Sequence, residues 1–266
     1  MIIIGEKINS TLKSIRPAIE NYDAEAIKDL AKRQYEAGAC YIDVNAGMFL
    51  EDEPERLAWL INTIQEVLDA PFAIDSPNPK ALLSGLKANK NGKPIINSIT
   101  DEKERYDTVM PMVVEYKTSV IALCMDDTGM PETVEDRVVI ARRLIDKLTK
   151  KGVAIDDIYI DPMVRPVGTG SHYGVVAIDT IRKVREEYPE VHITSGLSNI
   201  SFGIPARKVM NQAYLIAAMT AGMDSAILDP LDKKLMTFLC AGEALLGKDD
   251  FCMNYLTRYR EGAFEL

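Results

Sequence analysis

Eight short apolar runs, each halting at a small polar or acidic residue and each followed by enough chain for one helix, predict a (β/α)8 TIM barrel. The runs are IIIGE halting at Glu6, YIDVN at Asn45, FAIDS at Asp75 and PIINS at Asn97. They continue with SVIALCMD at Asp126, IYIDP at Asp161, HITSGLSN at Asn199 and SAILDP at Asp229. Length agrees: the chain has 266 residues, and such a barrel takes roughly 250, so the chain reads as one domain. In this fold the chemistry sits at the C-terminal ends of the strands, which makes the halting residues the expected functional ones.

The elements follow in order. Residues 2–4 read as the first strand, then a helix over 23–36 with Asp23 as its N-cap and Gly38 as its stop. Residues 40–44 form the second strand. A helix starts near Pro54, a residue suited to a first helical position, and ends before Pro71. The third strand is 72–74 and its helix opens at Asn78-Pro79-Lys80. Asn91-Gly92 turns into a strand over 94–96, with a helix over 102–116. A fifth strand over 119–124 leads through the polar loop MDDTGMPET to a helix over 134–150. The sixth strand, 158–160, precedes PMVRPVGTGSHYG, the longest irregular stretch, and a helix over 175–187. The last units pair 191–194 with a helix over 206–221, closed by Gly222, and 225–228 with a helix over 232–246. The tail after Gly247 carries Phe251, Tyr255, Tyr259 and Phe264, suited to capping the barrel or pairing with another subunit.

Composition narrows the function. Lys+Arg 31 against Asp+Glu 40 leaves a net charge of −9, the wrong sign for nucleic acid or an anionic membrane. No apolar run reaches the length of about 18 residues needed to span a bilayer, and the N-terminus lacks a secretory pattern. Cys40, Cys124, Cys240 and Cys252 form no C-x-x-C pair, and Cys40 and Cys124 read as buried strand thiols, which fits a reducing cytoplasm. Two histidines, His172 and His192, exclude a multi-histidine metal site, and neither reads as a base at the mouth.

Asp75, Asn97 and Asp161 close the third, fourth and sixth strands, so they can converge. Any one of them reads equally well as a cap for the next helix. Together, two carboxylates and an amide suit a ligand with adjacent N–H donors and a carbonyl, such as a pterin with its 2-amino group, N3–H and O4. Asn199 could donate to a ligand nitrogen, with Gly196 letting the ligand approach the backbone, or could simply occupy a tight turn. Arg207 and Lys208 open a helix and suit either an anion or carbonyl site or a solvated face, the second fitting Lys208 better. Asp43 reads as a structural brace, Asp126 and Asp127 as a weak cation signal, and Asp224 as a residue of the barrel bottom.

GEKIN at 5–9, YIDVNAG at 41–47, IDSPN at 74–78, INSIT at 96–100, YIDP at 159–162 and GLSNISFGIPAR at 196–207 resemble the pterin-binding methyltransferases. That family includes the methyltetrahydrofolate:corrinoid protein methyltransferases and the folate domain of cobalamin-dependent methionine synthase. The motifs stand in the family's order and span essentially the whole chain. The resemblance implies a homodimeric barrel that binds 5-methyltetrahydrofolate in its mouth. It implies that Asp75, Asn97 and Asp161 hold the pterin edge, that Asn199 approaches the methyl-bearing N5 and that Arg207 orients the folate. The methyl group would move to or from the cobalt of a corrinoid. No D-x-H-x-x-G corrinoid motif occurs, so the cobalamin is expected on a separate partner protein. Phe202 stands at a ligand-contact position where the corrinoid/iron–sulfur relatives carry a glutamine-like residue; S-F-G there looks more like methionine synthase. Dihydropteroate synthase shares the pterin-binding barrel but would need basic and histidine residues after the last strand, where SAILDPLDKK has Asp229. A non-catalytic folate-binding barrel is the other reading, and it would leave Asn199 without work.

Overall fold

Isoleucine, valine and alanine crowd the eight runs because each strand is buried on both faces, the condition of a parallel sheet wrapped by helices. The computed structural model describes residues 1–265. The strands are β1 (Ile2–Asn9), β2 (Tyr41–Asn45), β3 (Phe72–Asp75), β4 (Ile95–Thr100), β5 (Ser119–Leu123), β6 (Ile158–Asp161), β7 (His192–Ile193) and β8 (Ser225–Leu228). They form one parallel eight-stranded sheet in the order β7-β6-β5-β4-β3-β2-β1-β8. A parallel bridge between Gly196 and Ile227, with Ile227 N–H donating to Ser195 O at 2.9 Å, draws β7 to β8 and closes the barrel.

The helices are α1 (Arg16–Glu20), α2 (Ala24–Glu36), α3 (Glu53–Gln65), α4 (Pro79–Ala88), α5 (Lys103–Tyr116), α6 (Val134–Lys150), α7 (Tyr173–Glu187), α8 (Arg207–Ala221), α9 (Lys233–Leu245) and α10 (Met253–Arg260). Their starts follow local chemistry. Asp23 accepts from Ala26 N–H at 3.1 Å, Asn78 from Lys80 at 3.0 Å, Thr133 from Asp136 at 3.1 Å and Asp232 from Leu235 at 3.1 Å. Each such cap contributes about 1 kcal/mol. Gly85 lets α4 settle on β3, since a Cβ there would meet Ile74 Cγ2 at 2.8 Å and Ile61 Cδ1 at 3.1 Å. That close approach fixes the strand end that carries Asp75.

Alternation along the strands sorts the two faces. Ile4, Ala73, Ile95, Ile121 and Tyr159 point inward and plug the barrel, with Tyr41, Leu123 and Ile227 against them. Ile42, Val44, Phe72, Ile74, Ile96 and Val120 pack outward against the helices. Two residues beyond the plug, the same inward parity brings Glu6, Asp43, Asp75, Asn97 and Asp161 to the C-terminal mouth.

Several expectations need correction. α1 was not expected: it is five residues long and has no side-chain cap. β1 and β4 run further than their apolar runs, each past a shift in register, between Gly5 and Ile8 and between Asn97 and Ile99. β7 keeps two ladder residues because the chain turns at Gly196 toward β8. Cys40 is exposed, not buried, because β2 starts one residue later and leaves it in the turn. The aromatic tail forms α10 and folds back along α9, with Tyr255 and Phe264 rings 4.8 Å apart and Glu265 N–H donating to Thr237 Oγ1 at 3.0 Å.

Candidate active site

A cavity of about 470 Å3 opens at the mouth, lined by Glu6, Asp43, Asp75, Asn97 and Asp161, with Ser198 and Asn199 arriving from the β7–α8 loop. Leu12, Met130 and Met163 add apolar surface. Of the six residues expected to bind or act, Asp75, Asn97, Asp161 and Asn199 therefore share one cavity. Arg207 lies outside it: its Nη2 donates to Ser198 O at 2.7 Å and its Nε to Ser201 Oγ at 3.2 Å, bracing the turn that carries Asn199. Phe202 stands on the rim, 66% exposed, with the Arg207 guanidinium 5.8 Å from its ring centre.

The acids are held by few donors. Asp161 accepts the backbone N–H of Met163 at 2.7 Å and that of Gly196. Asp75 accepts from Asn45 Nδ2 at 2.9 Å, and Asp43 accepts from Asn97 Nδ2 at 3.2 Å. Ser198 Oγ sits 3.5 Å from Glu6. Among the described residues none of these four carboxylates joins a salt bridge; Lys7 pairs instead with Asp229 at 2.8 Å. Burial raises Glu6 to about 7, with the Asp229 charge adding to it against Lys7, Ser198 and Arg207. Burial likewise raises Asp161 to about 6 against its two backbone donors and Arg137. Burial and then the charge of Asp75 hold Asp43 well above the carboxylate range, and burial raises Asp75 despite the Asn45 hydrogen bond. Desolvated carboxylates with open acceptor positions gain most from a ligand that presents N–H donors.

Three features escaped sequence reasoning. Asp43 and Asn45 exchange roles: Asp43 lines the cavity, whereas Asn45 is the brace, accepting from Ser10 Oγ at 3.1 Å and Gly47 N–H at 3.0 Å while donating to Asp75. The i+2 step from Tyr41 in the plug was the signal available. Gly196 serves Asn199 directly, since a Cβ there would fall 2.9 Å from Asn199 Nδ2. Arg137, fully buried, donates to Pro131 O at 3.1 Å and to Pro162 and Met163 O at 2.8 Å each, fixing the loop behind Asp161.

The remaining candidates sit elsewhere. Asp126 pairs with Arg143 at 2.5 Å and is turned out of the mouth. Lys208 pairs with Asp232 at 3.2 Å. His192 lies against Asp224 at 2.9 Å at the opposite end of the barrel, and His172 packs on Tyr173 with ring centres 4.4 Å apart. Among the described residues no three His, Cys, Asp or Glu side chains gather as a metal-ligand set, and no helix is long and apolar enough to cross a membrane.

The profile of the pterin binding enzymes matches residues 5–229. The chain is 40% identical to the methylcorrinoid:tetrahydrofolate methyltransferase of Eubacterium limosum over 98% of its own length and 97% of that protein's. It is 33% identical to the methionine synthase of Mycobacterium leprae over 86% of its length, but spans 20% of that longer protein. Among solved structures, dihydropteroate synthase of Yersinia pestis superposes with a TM-score of 0.70, covering 92% of this chain and 93% of that one; at 14% identity this likeness shows the fold. An inward layer of acids at a barrel mouth, a matching profile and a relative similar from end to end place this chain in the family of pterin-binding enzymes.

Proposed function

We propose that the chain is a methyltransferase that moves a methyl group between N5 of 5-methyltetrahydrofolate and the cobalt of a corrinoid carried by a separate protein. The observation that carries this reading is the mouth itself: desolvated carboxylates with open acceptor sites beside one exposed amide, in a chain similar over its whole length to a methylcorrinoid:tetrahydrofolate methyltransferase. Asp75 and Asp161 accept from the 2-amino group and N3–H of the pterin, and Asn97 meets its carbonyl edge. Replacing water and protons by ligand donors lets these acids ionise, which ties affinity to the correct edge.

Asn199 then faces N5. In the demethylating direction cob(I)alamin attacks the methyl carbon and the C–N5 bond breaks. The electron pair stays on N5, where a proton from solvent ends; the reverse reaction retraces these steps. A tertiary amine leaves poorly, so an amide donor aimed at the developing pair lowers the barrier, by about 3 kcal/mol for one well-placed donor. Phe202, exposed on the rim, offers apolar surface to the approaching macrocycle. The exposed Leu245, Phe251, Met253 and Tyr259 near α9 and α10 supply apolar area for a homodimer contact.

Mixing the chain anaerobically with 5-methyltetrahydrofolate and cob(I)alamin tests the proposal. The cobalamin spectrum should convert to that of methylcobalamin faster than without the protein. Tight folate binding with no conversion would favour a non-catalytic folate-binding barrel.

A further inference from the structure

Behind Asp161 lies a guanidinium that does not line the cavity. Arg137, in the first turn of α6, is fully buried, whereas Arg105 and Arg207, which also clasp main-chain carbonyls at the mouth, are half-buried and exposed. Its Nε and Nη1 are spent on the carbonyls of Pro131, Pro162 and Met163, and its Nη2 is buried with no hydrogen-bond partner. Among the described residues it joins no salt bridge: Glu132 pairs with Arg165, and Asp136 accepts from Thr133. Burying a charge without an ion-pair partner costs several kcal/mol, and a neutral donor could clasp the same carbonyls for less.

The surroundings show where the charge acts. The groups facing Arg137 are Asp161 at the end of β6, the Cys124 thiol after β5, Arg165 and Glu132 from the flanking loops, and Tyr214 from α8. Burial pushes Cys124 and Tyr214 up, so both stay neutral, and Glu132 is taken by Arg165. That leaves Asp161 as the counter-charge. The link is mechanical as well. Met163 stands at φ 64, in the left-handed region. Its carbonyl and that of Pro162 are held by Arg137, and its N–H donates to Asp161 Oδ1 at 2.7 Å.

We propose that Arg137 is a positioning residue for the folate site: its charge, held behind the Pro162–Met163 turn, keeps Asp161 seated and ready to ionise, so that the pterin edge is read at neutral pH. The proposal rests on the reading of Asp161 as an acceptor of that edge. Burial raises Asp161 to about 6, and Arg137 acts against it together with the Met163 and Gly196 N–H groups. Without the charge Asp161 would keep its proton to higher pH, and a ligand donor would have to displace it. Glu6, Asp43 and Asp75 are raised too, but the groups that shift them do not include Arg137, so they act on wild type and variant alike.

The test measures dissociation constants for 5-methyltetrahydrofolate between pH 6 and 8.5. Arg137→Gln removes the charge and keeps N–H groups for the carbonyls; Arg137→Met is the second neutral variant should the first not fold. Either should weaken binding about fivefold more at pH 6 than at pH 8.5. Arg137→Lys, which keeps the charge, should follow the wild-type profile. In an Asp161→Asn background the neutral substitution should lose its pH dependence. A loss equal at every pH, or a pH dependence that survives in that background, would overturn the proposal while leaving the folate reading intact. If the wild type binds no reduced folate at any pH, both fall together.

Discussion

At the bottom of the barrel Asp224 accepts from Ile193 N–H at 2.8 Å, lies 2.9 Å from His192 Nδ1 and pairs with Arg185 at 3.0 Å. Asp157 there accepts from Ser119 Oγ at 2.8 Å and pairs with Lys93. At the mouth, Asp43 and Asp161 are buried and Glu6 and Asp75 half-buried, and among the described residues none of the four has an ion-pair partner. The consequences are opposite in sign. Burial works to raise Asp224, but the His192 and Ile193 hydrogen bonds and Arg185 hold it below the ordinary carboxylate range. At the mouth burial wins, and all four acids are raised. A carboxylate that serves the fold receives its donors from the fold. One that serves a ligand is left open until the ligand supplies them.

That contrast can be broken or sharpened by experiment, beginning with the largest effect. Asn199→Ala should lower the methyl-transfer rate by about 100- to 1000-fold while folate still binds; an unchanged rate with free cob(I)alamin removes Asn199 from the chemistry. Asp161→Asn should weaken folate binding by about 10- to 100-fold, since a charged acceptor is exchanged for one that also presents an N–H to the ligand's donors. Unaltered affinity in a titration would mean that Asp161 does not read the pterin edge.

Stability should respond in opposite directions at the two ends. Glu6 is raised from 4.5 to about 7 in the folded chain. Its contribution is thus full below pH about 4.5 and lost as the pH rises through about 7. Glu6→Gln should therefore stabilise the ligand-free protein at pH 8 by on the order of 2 kcal/mol, allowing for solvent in the cavity. Asp224 is lowered, so its contribution is present near neutrality and lost as the pH falls through its folded value. Asp224→Asn should destabilise at pH 8 by about 1–2 kcal/mol and leave folate affinity unchanged. Urea unfolding at pH 5 and 8 reads both, and losses of the same sign at both ends would erase the distinction.

Much of the fold was legible because its signals are local. The helix Val134–Lys150 and the strand Ser225–Leu228 have the bounds expected, and Asp23 and Asn78 cap where their chemistry says they should. Asp75, Asn97 and Asp161 were recoverable as a set because they stand at or near strand ends, and Asn199 joins them from the loop after β7. What stayed hidden depends on placement in space, not position along the chain. Asp43 and Asn45 share one face of β2, so alternation cannot tell them apart, and their different heights in the barrel appear once the strands are laid in register, Asp43 beside Ala73 and Asn45 beside Asp75. Gly196 was legible as permissive backbone, but the atom it makes room for belongs to a residue three positions on. Arg137 lies in the first turn of α6 and looks solvated until the loops bearing Pro131, Pro162 and Met163 fold over it.

The short β7 has a mechanical consequence. It keeps two ladder positions with β6 and meets β8 through the Gly196–Ile227 bridge, whereas β3 and β4 sit in longer ladders on both sides. The stave that presents Asn199 is thus fastened more loosely than the staves that present Asp75 and Asn97. A small tilt of it strains few cross-links, yet it moves the Asn199 amide relative to Asp75 and Asn97. On the proposed function, the stiffer half of the mouth would hold the ring while the looser half carries Asn199 toward N5.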